Sequence, residues 1–179
     1  MRRKMDLLLL TEGLAIFYLS QLEKSDDNSR NWVFQTQIME KKTLPPKPAE
    51  KPLPEGTATR DFNQTEVSLF RFSALTFNGH KIHYSKEWCQ DVEGHRDCVV
   101  HGPLNLINML DLWRDTRNQN GESVPKSITY RAMSPLYVGE PYRILLERDG
   151  AATETDGESW RAEIWDSFGK AAMKGTIRE

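Results

Sequence analysis

Several features that would assign this 179-residue sequence to a specialised class are missing. Its two cysteines, Cys89 and Cys98, are too few for the disulfide framework of a small secreted domain, which favours a reduced, intracellular setting. Neither a phosphate-binding loop nor a dinucleotide-binding glycine fingerprint is present, and we expect no cofactor. The formal net charge is only −2 with mixed signs, so we expect neither a nucleic-acid partner nor binding to an anionic membrane surface.

A long hydrophobic run is also missing from the N-terminal segment. Its apolar residues up to Leu22 have the three- and four-residue spacing of a helix face, but Asp6 and Glu12 interrupt it. The longest uncharged run of this segment, residues 13–22, reaches only about half of a membrane span. We therefore expect neither secretion nor stable membrane insertion, and an intracellular protein of the cytoplasm or the mitochondrion.

Proline is concentrated in one place. Five of the nine prolines fall close together, at Pro45, Pro46, Pro48, Pro52 and Pro54. Proline favours extended backbone and donates no hydrogen bond, so this stretch predicts a stiff connector. We accordingly divide the chain into an N-terminal appendage (1–42, with a strand-like segment at 32–39), a linker (43–60) and a main domain (61–179).

The main domain begins with a predicted strand at residues 66–72 and continues, after a polar stretch, with one very apolar helix. The helix is predicted from residue 104 to about 116, directly after Pro103. Proline suits a helix start because it lacks an N–H group, and an N–H group at that position would have no acceptor within the helix. A helix that is apolar over most of its circumference must be surrounded by other structure. Its narrow polar stripe comprises Asn105, Asn108, Asp111 and Asp115.

Four further strands are predicted, at residues 127–133, 142–148, 159–166 and 170–178. Apolar and polar residues alternate in the last two, which indicates antiparallel strands with one covered face. Ser167 to Gly169 predicts a short hairpin turn. A sheet that curls around a single central helix accommodates all these elements. The sequence therefore predicts an α+β hotdog fold, with an antiparallel sheet wrapped around one central helix.

The segment Ser73 to Leu104 contains all the histidines and both cysteines; the histidines are His80, His83, His95 and His101. Titratable side chains just before a buried helix suggest an active site, since the pKa of imidazole lies near neutrality. A zinc site built from His80, His83 and the two cysteines is the alternative. The cysteines are nine residues apart, unlike the short pairs of structural zinc sites, and we expect no metal.

The stretch SALTFNGHKIHY (73–84) followed by VVHGPL (99–104) resembles the hydroxyacyl-thioester dehydratase type 2 and mesaconyl-CoA hydratase branch of the MaoC-like hotdog hydratases. The strand sequences YRAMSPLYVGEPYRI (130–144) and RAEIWDSFGKAAMKG (161–175) also fit this branch, and the resemblance covers residues 61–178. It implies the reversible addition of water across an enoyl thioester carried on coenzyme A or an acyl carrier protein.

The resemblance also implies roles for single residues. In the broader family one loop carries an Asp, an Asn two residues later and a His five residues after the Asp. His83 matches this histidine, whereas Asn78 stands at the Asp position and His80 at the Asn position, as in the nearer branch. By resemblance, His83 is the acid and base, Asn78 holds water, His80 is either a second catalytic group or orients the loop, and the Gly102 N–H stabilises the enolate oxygen.

Other residues are weaker candidates. His101 either contributes to the oxyanion and substrate-binding region or bonds backbone near the helix start. Arg71 and Arg131 suit a substrate carboxylate or carrier phosphates, although surface positions on strands explain them equally well. His95 is predicted to be solvated, and Cys98, next to two valines, is predicted to be a buried strand thiol rather than a nucleophile.

Related proteins are often double hotdogs, and about sixty residues before the main domain are too few for a first hotdog. Either two chains pair to complete the cleft, or residues 1–42 are the remnant of a first hotdog; we expect a homodimer. Two alternatives to the hydratase stay open. One is a non-catalytic hotdog that binds an acyl group or a partner. The other is a thioesterase, which usually needs a carboxylate near the central helix, where Asp111 and Asp115 come late.

Overall fold

The structure is a computed structural model that describes residues 22–23, 25–26, 47–117, 124–149 and 158–179. The strands are β1 (Leu22–Glu23), β2 (Ser25–Asp26), β3 (Ala58–Phe62), β4 (Ser127–Ala132), β5 (Tyr142–Arg148), β6 (Ser159–Asp166) and β7 (Ala171–Arg178). The helices are α1 (Glu66–Leu75), a 3₁₀ turn (Lys81–His83), the short α2 (Lys86–Trp88), a π-helical turn (Cys89–Glu93) and α3 (Gly102–Arg117). The predicted N-terminal strand at 32–39 and most of the predicted N-terminal helix lie outside the described residues.

A five-stranded antiparallel sheet, in the order β3-β5-β6-β7-β4, curls around α3. Alternate residues of the central strands point inward and are buried, among them Ile144 of β5 and Ile164 of β6. Met109 and Trp113 of α3 are also buried, and α3 packs against the same core. This is the hotdog fold. The predictions of α3 and of the last four strands are confirmed, with strand bounds correct to one residue.

One position of β7 is crowded both by the neighbouring strand β4 and by α3. A Cβ on Gly175 would lie 3.0 Å from the Thr129 carbonyl oxygen and 3.2 Å from the Met109 methyl carbon. Glycine therefore lets β7 pair with β4 and pack against α3 without crowding.

The prediction of a strand at residues 66–72 is wrong, because this segment forms α1. Thr65 and Ser68 make a capping box at its start: Ser68 N–H donates to Thr65 Oγ1 (3.2 Å) and Thr65 N–H donates to Ser68 Oγ (2.9 Å). Leu69 and Ser73, one helical turn apart, are its buried residues, so only one narrow stripe faces inward. The local capping interactions outweigh the strand-like alternation of EVSLFRF.

The strand that precedes α1 is β3, which begins inside the predicted linker and pairs with β5. The connector before it lies on the outer face of the sheet: Lys51 N–H donates to the Ser167 carbonyl (2.8 Å), and Arg143 donates to the Pro54 carbonyl (3.2 Å). A Cβ on Gly56 would lie 1.9 Å from a methyl carbon of Leu145. From Lys51 onward the proline-rich stretch is thus packed on the domain. None of the described helices is long and apolar enough to cross a membrane.

Candidate active site

His83 lies at the end of the 3₁₀ turn and is buried, with 7% of its surface exposed. Its Nδ1 is 2.7 Å from the Val99 carbonyl oxygen. A carbonyl oxygen can only accept, so Nδ1 carries the hydrogen and Nε2 of the neutral ring keeps its lone pair. The backbone thus selects the tautomer in which Nε2 can act as a base.

His101 lies directly against His83. The two imidazole rings stack with centroids 3.5 Å apart and an interplanar angle of 17°. His101 is fully buried; its Nε2 is 2.9 Å from Ser73 Oγ, and the Phe72 ring meets it edge-on at 4.8 Å. Because His101 immediately precedes Gly102, the first residue of α3, this stack places His83 beside the start of the central helix.

The Val99 peptide holds the two parts of the site together. Its N–H donates to the Ile82 carbonyl (2.8 Å), while its carbonyl accepts from His83. On the other side of this segment, Val100 N–H donates to the Leu136 carbonyl (2.8 Å), and Val138 N–H donates to the Cys98 carbonyl (3.0 Å). The turn that carries His83 and the residues that lead into α3 are therefore bound to the same short extended segment.

Burial keeps both stacked rings neutral. It lowers the pKa of His83, against the opposing effect of the bond to the Val99 carbonyl, and the like charge of His80 lowers it further. Burial, with the like charge of His83, lowers the pKa of His101 to about 4. Near pH 7 both imidazoles are therefore unprotonated, and His83 is in its base form.

Asn78 and His80 lie in the same loop but face differently. Asn78 Oδ1 accepts from the His80 N–H (3.1 Å), and Asn78 N–H donates to the Ser73 carbonyl (2.9 Å), so Asn78 shapes the loop after α1. The His80 side chain is 55% exposed. Its ring stands edge-on to His83 at 5.9 Å, and its Nε2 is 3.8 Å from Glu93. His80 is thus at the outer side of the site.

Gly102 provides a feature suited to an anionic oxygen. The first N–H groups of a helix have no acceptor within the helix and lie at the positive end of its dipole. The stack of His83 on His101 brings the His83 imidazole and this helix start together.

The predicted arginines and aspartates lie elsewhere. Arg71 is exposed on α1, and Arg131 is exposed on the outer face of the sheet, the face turned away from α3. Asp111 and Asp115 of α3 both pair with Arg60, at 3.4 and 2.7 Å. Neither carboxylate is therefore placed with His83 and the start of α3.

The prediction that His95 is solvated is wrong. His95 is partly buried, its Nδ1 lies 3.2 Å from the Tyr137 hydroxyl, and burial lowers its pKa. Both cysteines are free and buried, which confirms the buried position of Cys98. Burial raises the pKa of Cys89 to about 12, so this thiol stays protonated. In the described part of the chain, no group of three or more potential metal ligands comes together.

Ser73 is the site residue that sequence reasoning missed. Once residues 66–75 are seen as a helix, Ser73 lies one turn after buried Leu69 and on the same inward face. Its helical position was concealed because the segment was interpreted as a strand. The signal that identifies the helix is the capping pair Thr65 and Ser68.

One known protein family matches the part of the chain that contains this site. The sequence profile of the family Hydroxyacyl-thioester dehydratase type 2 matches residues 19–138, more than half of the chain. The match begins inside the segment predicted as an appendage and ends before β5. It includes the histidine-rich segment and the first residues of α3.

Curated relatives are similar over part of their length. Mesaconyl-C(4)-CoA hydratase of Chloroflexus aurantiacus is 34% identical over 113 residues, covering 63% of this chain and 39% of that protein. The mitochondrial Hydroxyacyl-thioester dehydratase type 2 of Schizosaccharomyces pombe is 34% identical over 89 residues, covering 50% of this chain and 29% of that protein. The chain spans less than half the length of these relatives.

Solved structures share the fold. The (R)-hydratase from A. caviae involved in PHA biosynthesis superposes with a TM-score of 0.59 at 18% identity, covering 70% of this chain and 94% of that one. A MaoC-like dehydratase gives the same TM-score at 12% identity, covering 88% of this chain and 51% of that one. At such identities the likeness shows the hotdog fold alone.

Proposed function

Because the chain belongs to the hydroxyacyl-thioester dehydratase type 2 family, we propose that it catalyses the reversible addition of water across the double bond of an enoyl thioester. The observation that carries this proposal is the position of His83, a buried neutral imidazole stacked on the residue before the start of α3. The thioester carrier, coenzyme A or an acyl carrier protein, is part of the proposal.

In the hydration direction, the oxygen of a water molecule attacks the β-carbon while His83 Nε2 removes a proton from that water. The electron pair of the double bond moves toward the thioester, and the carbonyl oxygen becomes an enolate. The Gly102 N–H at the start of α3 stabilises this oxygen; one such donor is typically worth about 2.7–4 kcal/mol. The proton held by His83 is then delivered to the α-carbon, which returns the imidazole to its base form. Dehydration follows the same steps in reverse.

Asn78 and His80 have supporting roles in this proposal. The Asn78 oxygen is occupied by the His80 N–H, which leaves the amide NH₂ to hold the water or the hydroxyl group. His80, at the outer side of the site beside Glu93, orients the loop. Arg71, exposed on α1, suits the phosphates of a carrier.

The test is hydration of crotonyl-CoA, followed as loss of the enoyl absorbance. Replacing His83 by Ala should lower the rate by about 10²–10⁴-fold, because general acid–base catalysis contributes that much. The control His95→Ala removes a histidine outside the stack and should keep the wild-type rate. Circular dichroism of both variants establishes that the fold is intact. Unchanged turnover in folded His83→Ala would refute the assignment.

Two results would select the alternatives. Binding of crotonyl-CoA by the wild type without any turnover would indicate a non-catalytic acyl-binding hotdog. Release of free thiol without prior hydration would indicate a thioesterase, although the pairing of Asp111 and Asp115 with Arg60 gives that reaction little support. The predicted compartment, cytoplasmic or mitochondrial, stays a prediction.

Exposed apolar side chains on and just after α1 support a homodimer as part of the proposal. Val67, Phe70 and Leu75 are each more than half exposed, and Phe77 is 96% exposed. Large apolar side chains exposed along one short stretch of chain are a feature of interaction surfaces. Sedimentation velocity at micromolar concentration should give the dimer mass, and Phe70→Asp should shift the protein toward monomer. A monomeric wild type at the highest concentration would contradict the homodimer.

A further inference from the structure

The proposed reaction uses His83 but gives no task to the two buried polar residues behind it, His101 and Ser73. We propose that His101, held by Ser73, is a positioning residue that fixes the plane of the His83 imidazole and thereby the direction of its Nε2. This inference rests on the proposed function, but one of its tests does not depend on turnover.

A single hydrogen bond does not fix the orientation of a ring. The bond from His83 Nδ1 to the Val99 carbonyl sets the tautomer and one point of attachment. It still allows the ring to turn about the line that joins these two atoms, which would swing Nε2 out of the site. The face contact with His101, at 3.5 Å and 17°, opposes this rotation, because the flat rings cannot turn against each other without a clash.

His101 can serve as a fixed surface because it is itself held on two sides. Ser73 Oγ bonds its Nε2 at 2.9 Å, and the edge of the Phe72 ring meets it at 4.8 Å. Both residues belong to α1, so α1 determines the plane of His101. The orientation is transmitted from α1 to His101 and from His101 to His83.

The burial of His101 excludes a direct exchange of protons with a substrate. None of its surface is exposed, its outer face is covered by His83, and burial lowers its pKa to about 4. A neutral ring is needed here, because a second imidazolium against His83 would disfavour protonation of His83 during the reaction. The exchangeable proton therefore belongs to His83, and His101 acts through it.

The groups around the pair are consistent with a positioning role. His83 is faced by His101, by the edge of His80 at 5.9 Å and by the Val99 carbonyl. Glu93 lies near His80, at 3.8 Å, on the outer side of the site. His101 is faced by Ser73 and Phe72. The ring stack is thus held by a hydroxyl, a carbonyl and aromatic surfaces.

The first test separates positioning from substrate binding. His101→Ala should lower kcat for crotonyl-CoA by about 10²-fold, the typical cost of a misplaced catalytic group, with KM changed by less than about twofold. His101→Phe keeps a flat ring against His83 and should recover kcat to within about tenfold of the wild type, because only the bond to Ser73 is lost. Ser73→Ala should also lower kcat by about tenfold. The matched control His95→Ala, another histidine bonded to a hydroxyl, should leave kcat unchanged.

The second test needs no activity. Nitrogen-15 NMR of the histidine rings reports the tautomer and the pKa of His83. In the wild type we expect the Nδ1–H tautomer and a lowered pKa of His83. In His101→Ala the tautomer should persist, because the Val99 carbonyl sets it, but the pKa of His83 should rise toward its ordinary value as water reaches the uncovered face of the ring. His95→Ala should keep the wild-type spectrum of His83. If His101→Ala does not fold, Ser73→Ala gives the same comparison.

The outcomes are distinguishable. A wild type without hydratase turnover would refute the proposed function, while the NMR test would still decide this inference. Variants of His101 and Ser73 with wild-type kcat and an unchanged His83 pKa, but a lower melting temperature, would show that the pair only stabilises the fold. That result would overturn the proposal.

Discussion

Two pairs of histidines from the same stretch of chain have opposite environments. The inner pair, His83 and His101, is buried and stacked, with hydrogen bonds to the Val99 carbonyl and to Ser73. The outer pair lies around it: His80 is largely exposed beside Glu93, and His95 is partly buried against Tyr137. Sequence spacing alone does not separate the pairs. What separates them is whether α1 and the start of α3 cover the ring.

The difference shows how the same side chain serves two purposes in one segment. Desolvation holds the inner rings in the neutral form and leaves one free nitrogen on His83. The outer histidines have charged and aromatic neighbours, which attach the segment after the 3₁₀ turn to the rest of the domain. Changes to the inner pair should therefore alter proton transfer and pH dependence, whereas changes around the outer pair should alter stability.

The largest expected effect in this comparison is on the pH dependence of unfolding. The pKa of His101 is about 4 in the folded state, against an ordinary value of 6.5. Between pH 6.5 and pH 4, the unfolded state therefore binds a proton at this residue and the folded state does not. Stability is therefore lost as the pH falls from about 6.5 to about 4, by about 3 kcal/mol from this group.

Replacing His101 by Phe removes this contribution. Chemical unfolding at several pH values should show that His101→Phe loses about 3 kcal/mol less than the wild type between pH 7 and pH 4. The variant is expected to be less stable at pH 7, because Ser73 loses its partner, so the slope and not the absolute value is the result to compare. Parallel pH curves for the two proteins would contradict the neutral, buried state of His101.

A smaller effect is expected from the surroundings of the outer pair. Arg96 donates two hydrogen bonds to Glu140, at 2.8 and 2.5 Å, and its guanidinium lies 4.0 Å from the centre of the Tyr137 ring, the partner of His95. Arg96→Ala should lower the free energy of unfolding by about 2 kcal/mol, because it leaves a mostly buried Glu140 without its partner. Turnover of crotonyl-CoA should change by less than about twofold, since the inner pair is untouched.

The matched control for this variant is Arg148→Ala. Arg148 also pairs with a glutamate, Glu158, but is mostly exposed, so its loss should cost within about 0.5 kcal/mol. Urea unfolding measures both values. Equal losses for the two variants, or a large loss of turnover in Arg96→Ala, would remove the distinction between the inner and outer pairs.

The sequence was most informative where one face of an element is covered. The sheet and α3 cover each other. This burial produces the alternation in β6 and β7 and the nearly continuous apolar surface of α3, and these elements were predicted almost to the residue. The segment of α1 was misread because it buries only Leu69 and Ser73, so its period is weak and a capping pair decides its structure.

The site was predictable only in part for a related reason. The resemblance proposed His83 and Gly102 as site residues, and the structure brings the His83 ring to the start of α3. The stacking of His101 and its bond to Ser73 depend on how α1 packs against the residue that precedes α3, which no local pattern contains. The burial of His95 likewise depends on Tyr137, a residue distant in sequence. Contacts between elements, rather than the elements themselves, were the missing information.

The Val99 peptide has a consequence for how this protein tolerates sequence change. Its N–H donates to the Ile82 carbonyl and its own carbonyl accepts from His83, so the alignment of the His83 ring depends on main-chain atoms at this position. Other small apolar residues can therefore replace Val99 without loss of that alignment. Proline is the exception, because it lacks the N–H group that anchors the turn.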